Sequence, residues 1–106
     1  MLTIMVHAKI KEEKLAEYIE MAVFLTSETK GKRPGCISYS FNQSIEFPTE
    51  FVLYEQWESQ EQFDNHIREL CKLLGQPKPG RPLPEKLLEM YEKARPVYYK
   101  EIGSDG

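Results

Sequence analysis

One stretch, from Phe51 to Ile67, constrains the fold more than any other part of this 106-residue chain. Its first half, Phe51–Glu58, is rich in Val, Tyr and Trp, which favour a half-buried pleated surface, and it predicts a strand. Ser59 follows, and Gln62 stands three residues later, which is the spacing of a helix capping box. Beyond the cap, apolar residues recur at helical spacing, namely Phe63, Ile67, Leu70, Cys71 and Leu74. The stretch therefore predicts a strand, a turn and an amphipathic helix that carries His66 at the edge of its apolar stripe.

Periodic patterns before this stretch give the earlier elements. Strict alternation over Leu2–Ile10 predicts a first strand with one fully apolar face. An amphipathic pattern predicts a helix over Glu12–Lys30, and Cys36–Ser44 reads as a second strand. The short connection Glu46–Glu50 then makes an antiparallel hairpin with the following strand. The capped helix is expected to run to about Leu74.

Proline dominates the last third of the chain. Gly75–Pro84 contains four of the seven prolines and is expected to be irregular. Pro84 suits the first position of a short third helix, whose apolar stripe is Leu87, Leu88, Tyr91 and Ala94. We expect Pro96 to end that helix, Val97–Ile102 to form the last strand and Gly103–Gly106 to be a frayed tail.

These elements follow the order β-α-β-β-α-(α)-β in a single domain, which is typical of an α+β, ferredoxin-like βαββαβ fold. Such a fold has a four-stranded antiparallel sheet with helices on one face. The other face is also expected to carry large side chains: Met5 and His7, then Ile37, Tyr39 and Phe41 or Trp57, then Tyr98 or Tyr99. The simplest cover for that face is a second copy of the chain, so we expect a face-to-face homodimer.

Charge and composition argue against several classes of protein. The formal net charge of −3 disfavours nucleic acid binding, which needs a basic footprint. The only tight basic cluster, Lys30, Lys32 and Arg33, is typical of a solvated helix end. No run of about 18 apolar residues is present, and the chain starts directly in a strand pattern, so we expect a soluble cytoplasmic protein without a membrane partner. Cys36 and Cys71 match no metal spacing and are expected to be buried thiols.

In this order, several segments resemble the antibiotic biosynthesis monooxygenase (ABM) family of dimeric α+β barrels. The matching segments are Met1-Leu2-Thr3-Ile4, Pro34-Gly35-Cys36 and, above all, Tyr54-Glu55-Gln56-Trp57-Glu58-Ser59 with His66. The resemblance spans about residues 1–74 and resumes at the last strand. It implies a pocket between the sheet and the helices, in which family members oxidise quinols or anthrone-like polyketides with dioxygen and no cofactor. Relatives of similar sequence isomerise a small phosphorylated, sugar-like signal or degrade haem.

Two departures from the family pattern fall near the expected pocket. The family often has a second histidine five residues after the first, where this chain has Cys71. The insertion at 75–95, with its prolines and extra helix, is longer than the usual connection. We expect this insertion to form a wall or lid of the pocket, or to extend the dimer contact. Because both departures lie near the pocket, the substrate of any one relative does not transfer to this chain.

His66 is the best candidate for a general base. Dioxygen is a triplet, and it reacts slowly with a closed-shell molecule unless a proton is first removed to give an electron-rich anion. A neutral imidazole with a pKa near the working pH suits that step. The alternative is a half-exposed helix histidine without a chemical role. Since His66 lies at the margin of the stripe, its truncation to alanine is expected to cost about 1 kcal/mol or less of packing.

Other residues are candidates for the substrate pocket. His7, on the mixed face of the first strand, could bind a substrate oxygen, share the base role or make only a cross-strand contact. Glu55 must be paired or neutralised if it is buried, and is either a pocket group or a structural one. The remaining candidates line an aromatic cavity or fill the core: Tyr39, Phe41, Tyr54, Trp57 and Phe63.

We expect neither a metal nor a cofactor. His7 and His66 lack a ligand spacing such as H-E-x-x-H, and no glycine-rich loop follows a strand. Haem degradation is also disfavoured. At the positions where haem-degrading relatives use polar and aromatic groups, this chain has His7, His66 and Gln76. The sequence thus indicates a homodimeric, cofactor-independent monooxygenase for a small aromatic or quinol compound. Two alternatives remain open: an isomerase of a small polar metabolite, which an arginine-lined pocket would favour, and a non-catalytic small-ligand-binding module.

Overall fold

A computed structural model describes residues 1–81 and 83–103 and contains a four-stranded antiparallel sheet in the order β2-β3-β1-β4. The strands are β1 (Leu2–Ile10), β2 (Cys36–Gln43), β3 (Glu50–Trp57) and β4 (Tyr91–Lys100). The helices are α1 (Leu15–Thr29), α2 (Gln60–Leu74) and α3 (Glu85–Leu88), with a 3₁₀ turn, Glu12–Lys14, before α1. The predicted α+β, ferredoxin-like fold is confirmed. Pro82 and most of the predicted tail, Ser104–Gly106, lie outside the described residues.

One face of the sheet is covered by the helices. Ile4 pairs with Glu55, and Glu55 pairs with Tyr39, so these three side chains share a face. The buried core joins residues of that face to residues of α1 and α2: Ile4, Ala8, Ile10, Tyr18, Met21, Leu25, Tyr39, Phe51, Trp57 and Leu70. Glu55 and Trp57 therefore lie on the covered face, between the sheet and the helices.

The opposite face is open and more polar than the sequence predicts. Of the large residues expected there, Tyr39, Phe41 and Trp57 instead belong to the covered face. The strand register changes at a bulge between Cys36 and Ser38, and this shift turns the serines of β2 away from the helices. The open face comprises Thr3, Met5, His7, Lys9, Ser38, Ser40, Asn42, Val52, Tyr54, Gln56, Lys93, Arg95, Val97 and Tyr99.

The proline-rich region ends in a shorter helix and a longer strand than predicted. Helix α3 stops at Leu88, and β4 already begins at Tyr91, so the prediction of a helical stripe through Tyr91 and Ala94 was wrong. Pro96 lies within β4 and does not end a helix. A proline is tolerated there because β4 is an edge strand. Leu87 is buried in the core, so this segment completes the core beneath the helices.

No helix in the described ranges, 1–81 and 83–103, is long and apolar enough to cross a membrane.

Candidate active site

His66 lies deep in the structure, on the buried side of α2. Ser59 caps this helix, its Oγ accepting a hydrogen bond from the Gln62 amide at 3.3 Å, as the capping pattern predicts. The His66 side chain is 3% exposed and shares the buried side of α2 with Leu70 and Cys71. The prediction that it occupies the edge of the stripe was therefore wrong, and the reason for expecting an inexpensive truncation no longer holds. The predicted stripe contains apolar residues alone, but a polar residue can be buried to the same extent when polar neighbours such as Glu55 face it.

Glu55 is the polar neighbour of His66. Its side chain projects from β3 beneath α2 and is almost fully buried. The carboxylate Oε1 accepts a hydrogen bond from Trp57 Nε1 at 3.1 Å and lies 3.9 Å from His66 Nε2. Because a carboxylate attracts the ring proton of a facing imidazole, this geometry favours the tautomer with the proton on Nε2. His66 Nδ1 is then a lone-pair acceptor.

Burial controls the charge of both groups. It raises the pKa of Glu55 to about 7, although the Trp57 hydrogen bond acts in the opposite direction. Burial, reinforced by the nearby Arg33 guanidinium, lowers the pKa of His66 to about 4. The 3.9 Å separation is within ion-pair range, yet both shifts favour the neutral forms, so near neutral pH the imidazole is uncharged and the carboxyl group keeps its proton to a higher pH than an exposed glutamate does.

Aromatic rings enclose the imidazole. The Trp57 ring lies 4.7 Å from the His66 ring, Tyr39 lies 5.4 Å away and Phe63 lies 6.5 Å away, measured between centroids. Trp57 and Tyr39 are almost fully buried, and burial raises the pKa of the Tyr39 hydroxyl far above its usual range. These rings exclude water from the His66–Glu55 pair, which strengthens the electrostatic effects on it.

A cleft of about 530 Å³ reaches His66 from the surface. It lies between α2 and the loop that follows α1, and its lining is Lys32, Arg33, Pro34, Gln62, Asn65, His66, Arg68, Glu69 and Lys72. Gly35 lets the loop approach the helix: its φ is +81°, and a Cβ there would meet Gln62 Cγ at 2.5 Å. Two buried polar atoms at this site, His66 Nδ1 and Arg33 Nε, have no hydrogen-bond partner within residues 1–81 and 83–103.

The structure brings together most, but not all, of the residues that the sequence singles out. Glu55, Trp57, Tyr39 and Phe63 surround His66, and Phe41 lies beside Tyr39 with ring centroids 5.7 Å apart. His7 and Tyr54 lie on the open face and are separated from His66 by the sheet. His7 is exposed there and lines a second cleft of about 490 Å³ with Lys9, Asn42 and Arg95 among others.

Sequence reasoning missed the basic residues of the cleft. Arg33 was assigned to a solvated helix end, but its side chain is partly shielded and its Nε is buried. Arg68 and Lys72 stand two and six positions after His66 on α2, so helical spacing does not place them beside the imidazole, and the structure shows that they line the same cleft. Their proximity to Arg33 comes from the packing of the loop on α2, and no local pattern predicts it.

Within residues 1–81 and 83–103, no three His, Cys, Asp or Glu side chains are grouped in a way that could hold a metal ion.

Comparison with known proteins gives the family. Residues 1–69, about two thirds of the chain, match the model of the family described as antibiotic biosynthesis monooxygenase. This chain belongs to the ABM family. The match includes β3 and most of α2, and therefore both Glu55 and His66. No curated protein matches the chain.

Solved structures of similar fold cover nearly the whole chain. A conserved protein from Methanosarcina mazei is 25% identical with a TM-score of 0.73, over 94% of this chain and 91% of its own. A Nitrosomonas europaea protein, provisionally named an antibiotic biosynthesis monooxygenase, is 22% identical with a TM-score of 0.73, over 96% and 99%. PA3566 from Pseudomonas aeruginosa is 12% identical with a TM-score of 0.76, over 96% and 94%. At these identities the likeness shows that the ABM fold extends through β4, beyond the matched residues.

Proposed function

We propose that this protein is a cofactor-independent monooxygenase that acts on a small hydroxy-aromatic compound of the quinol type, with His66 as the group that accepts the substrate's proton. The observation that carries the proposal is the setting of His66, a buried imidazole whose Nδ1 has no partner and whose Nε2 faces a buried carboxylate. Membership of the ABM family supports the class of reaction. Perturbed titratable groups next to a cleft are typical of functional sites.

In this proposal the proton passes through the imidazole to Glu55. Nδ1 takes the proton of a substrate hydroxyl while Nε2 gives its own proton to the carboxylate. An imidazole with a pKa of about 4 is by itself a weak base for a phenol, whereas a carboxylate with a pKa of about 7 is a stronger one. The 3.9 Å separation between Nε2 and Oε1 shortens during the transfer, as catalytic hydrogen bonds commonly do when substrate binds.

The chemistry that follows needs only the substrate and dioxygen. The deprotonated substrate passes one electron to dioxygen, and the two radicals combine into a carbon-bound peroxide anion. This anion takes back the proton held by the His66–Glu55 pair and becomes a hydroperoxide. Loss of water from the hydroperoxide leaves a carbonyl group. Overall the substrate loses two hydrogens and gains one oxygen atom, and the second oxygen atom leaves as water. The substrate supplies all the electrons, so no separate reductant enters the reaction.

We also propose that two copies of the chain pair through the open face of the sheet. Apolar and aromatic side chains stand in the middle of that face, namely Met5, Val52, Tyr54, Val97 and Tyr99. Tyr99 is 48% exposed in the single chain. A second copy would remove this surface from water and leave the His66 cleft, which lies on the other side of the sheet, accessible to substrate.

Incorporation of labelled oxygen tests the proposed reaction. The protein is incubated with a panel of quinols under ¹⁸O₂, and we expect one labelled atom in the product and one water formed for each dioxygen consumed. The His66→Gln variant should lose this activity, and His7→Gln, in which a histidine on the other face is replaced, should retain it. Product that carries oxygen from water instead of dioxygen would contradict the proposal.

The basic cleft favours a second candidate function, isomerisation of a small anionic metabolite by proton transfer. Four basic residues line the cleft next to His66: Lys32, Arg33, Arg68 and Lys72. The same imidazole would then move a proton between two carbons without dioxygen. Turnover under anaerobic conditions, with deuterium from solvent appearing in the product, would identify this reaction and exclude the oxygenase.

A further inference from the structure

The His66 cleft is positively charged, whereas the chain as a whole has a negative net charge. The protein carries a formal net charge of −3, but the cleft holds four basic side chains and a single carboxylate, that of Glu69. The two lysines already have acidic partners, because Lys32 Nζ lies 3.8 Å from Glu28 and Lys72 Nζ lies 3.5 Å from Glu69. Neither arginine of the cleft, Arg33 or Arg68, is within ion-pair distance of a carboxylate of the described chain.

The unpartnered atoms of the cleft have opposite hydrogen-bonding characters. Arg33 Nε–H is always a donor, because the guanidinium does not lose its proton in proteins. His66 Nδ1 is an acceptor when Nε2 holds the ring proton opposite Glu55. Among the described residues neither buried atom has a hydrogen-bond partner, and a buried polar atom without a partner destabilises the fold. A ligand that satisfies both must offer a hydrogen-bond acceptor to Arg33, for which an anion gives the strongest bond to a guanidinium, and a donor such as a hydroxyl to His66.

The second basic cleft lacks this pair of atoms. On the open face, Lys9, Lys93 and Arg95 line a cavity of similar volume with His7. His7, Lys93 and Arg95 are themselves exposed to water, and Lys9 Nζ lies 4.0 Å from Glu92. Both clefts are therefore basic, but the buried donor and acceptor without partners lie in the His66 cleft.

We infer that the His66 cleft binds a substrate that carries both an ionisable hydroxyl and an anionic substituent, a carboxylate or a phosphate, on one small ring. Arg33 and Arg68 hold the anion, and the hydroxyl donates its hydrogen bond to His66 Nδ1. This inference rests on the proposed function, since it names the substrate class of the same site. A volume of about 530 Å³ is within the usual range for a small-molecule pocket, roughly 300–1,000 Å³.

Paired ligands test the inference by calorimetry on the full chain. 2,5-Dihydroxybenzoate is a quinol with a carboxylate, and its methyl ester is the same quinol without the charge. We expect the acid to bind about tenfold more tightly than the ester, the effect of one charge-assisted hydrogen bond, and its affinity to fall as salt rises. 4-Hydroxyphenyl phosphate, compared with 4-methoxyphenol, separates a preference for phosphate from one for carboxylate.

Matched variants locate the binding site. Arg33→Gln should weaken binding of the preferred anionic ligand about tenfold and leave the uncharged ligand unchanged. Arg95→Gln removes one positive charge from the other cleft, and Lys30→Gln removes one from the same loop outside the cleft, so both should bind like the unaltered chain. Arg68→Gln replaces Arg33→Gln if the latter does not fold. Equal binding of each anion and its uncharged counterpart, or an equal loss in Arg95→Gln, would overturn the inference.

Oxygen uptake, measured on the same ligands, separates this inference from the proposed function. If the acid binds in an Arg33-dependent way but no oxygen is consumed, the proposed anion site stands and the proposed oxygenase activity is contradicted. Oxygen consumed with the ester at a rate that Arg33→Gln does not alter would keep the oxygenase and overturn the anion site.

Discussion

The two faces of the sheet each present one histidine, and the environments of these histidines differ. His66 is 3% exposed, is enclosed by aromatic rings and faces a buried carboxylate. His7 is exposed on the open face, among the charged and amide side chains of a surface cleft. The residue type is the same, but only His66 combines desolvation with a polar partner, which are the conditions that alter an imidazole's charge and reactivity. The surroundings of each histidine, more than the residue type, therefore identify the candidate base.

Replacing each histidine by glutamine tests this comparison most strongly. Glutamine keeps an amide N–H that can face Glu55 but cannot accept and pass on a proton. We expect His66→Gln to lower the rate roughly 10²–10⁴-fold, the usual contribution of a general base, and His7→Gln to lower it by less than about threefold. Initial rates of oxygen uptake with the best quinol provide the measurement.

Glutamine is preferred to alanine at His66 because the side chain is packed between rings. Truncation of a large buried side chain costs about 2–5 kcal/mol, enough to unfold a marginally stable domain. Thermal unfolding of His66→Gln serves as the control that the fold is retained. A rate loss in His7→Gln equal to that in His66→Gln would place the chemistry on the open face.

The second prediction concerns the pH dependence of stability. Between about pH 4.5 and 7 the folded chain retains a proton on Glu55 that the unfolded chain has lost, so this group makes the free energy of unfolding fall as pH rises. Between about pH 4 and 6.5 the unfolded chain holds a proton on His66 that the folded chain lacks, so His66 makes stability rise with pH. In the unaltered protein the two effects oppose each other over most of this range.

Glu55→Gln removes the first effect and leaves the second. Between pH 4.5 and pH 8, we expect the free energy of unfolding of the variant to rise by roughly 3 kcal/mol relative to that of the unaltered protein. This value comes from a pKa shift of 4.5 to about 7 at about 1.4 kcal/mol per unit. Urea unfolding at the two pH values measures this difference. Glu50→Gln, at an exposed position of the same strand, is the matched control, and a relative gain as large in Glu50→Gln would show that Glu55 is not the cause.

The third prediction concerns the open face. Tyr54→Glu places a charge in the middle of that face, and an unpaired charge buried in an interface costs about 2–5 kcal/mol. We expect the dissociation constant of the proposed dimer to rise about 100-fold or more. Sedimentation over a range of concentrations measures it, with Val23→Glu, a charge on the exposed side of α1, as the control. An unaltered protein that sediments only as a single chain at micromolar concentration would remove the basis for the dimer.

The first strand, the aromatic strand and the helix cap were predicted correctly because their signals are local. The alternation of Leu2–Ile10, the aromatic strand at β3 and the Ser59 cap each depend on residues close in the chain, and each is confirmed. The burial of His66 was not predicted, because a stripe defined by apolar residues does not indicate whether a polar residue beside it is buried. Its depth depends on Glu55 and Trp57, which only the packing of β3 against α2 brings to the imidazole.

Features fixed by packing between distant segments were not predictable in the same way. The bulge between Cys36 and Ser38 reverses the faces of β2, and no turn residue marks it in the sequence. Pro96 was read as a helix end, although pairing of β4 with β1 at the sheet edge accommodates it. The basic cleft joins Arg33 to Arg68 across 35 positions, a proximity created when the loop packs on α2.

The smallest predicted effect concerns the indole beside the carboxylate. Trp57→Phe keeps a ring at the position but removes the Nε1–H that donates to Glu55 Oε1 at 3.1 Å. A hydrogen bond to the ionised form lowers a carboxyl pKa, so its loss should raise the pKa of Glu55 further, by about one unit or roughly 1.4 kcal/mol. If Glu55 is the final proton acceptor, the rise of the rate with pH, centred near pH 7 in the unaltered protein, should move upward by the same amount. Phe63→Leu is the control, because it alters a ring 6.2 Å from Trp57 that makes no hydrogen bond to Glu55, and its pH profile should stay in place. A Trp57→Phe profile that does not move would show that the proton ends elsewhere than on Glu55 and would leave His66 as the sole base of the covered face.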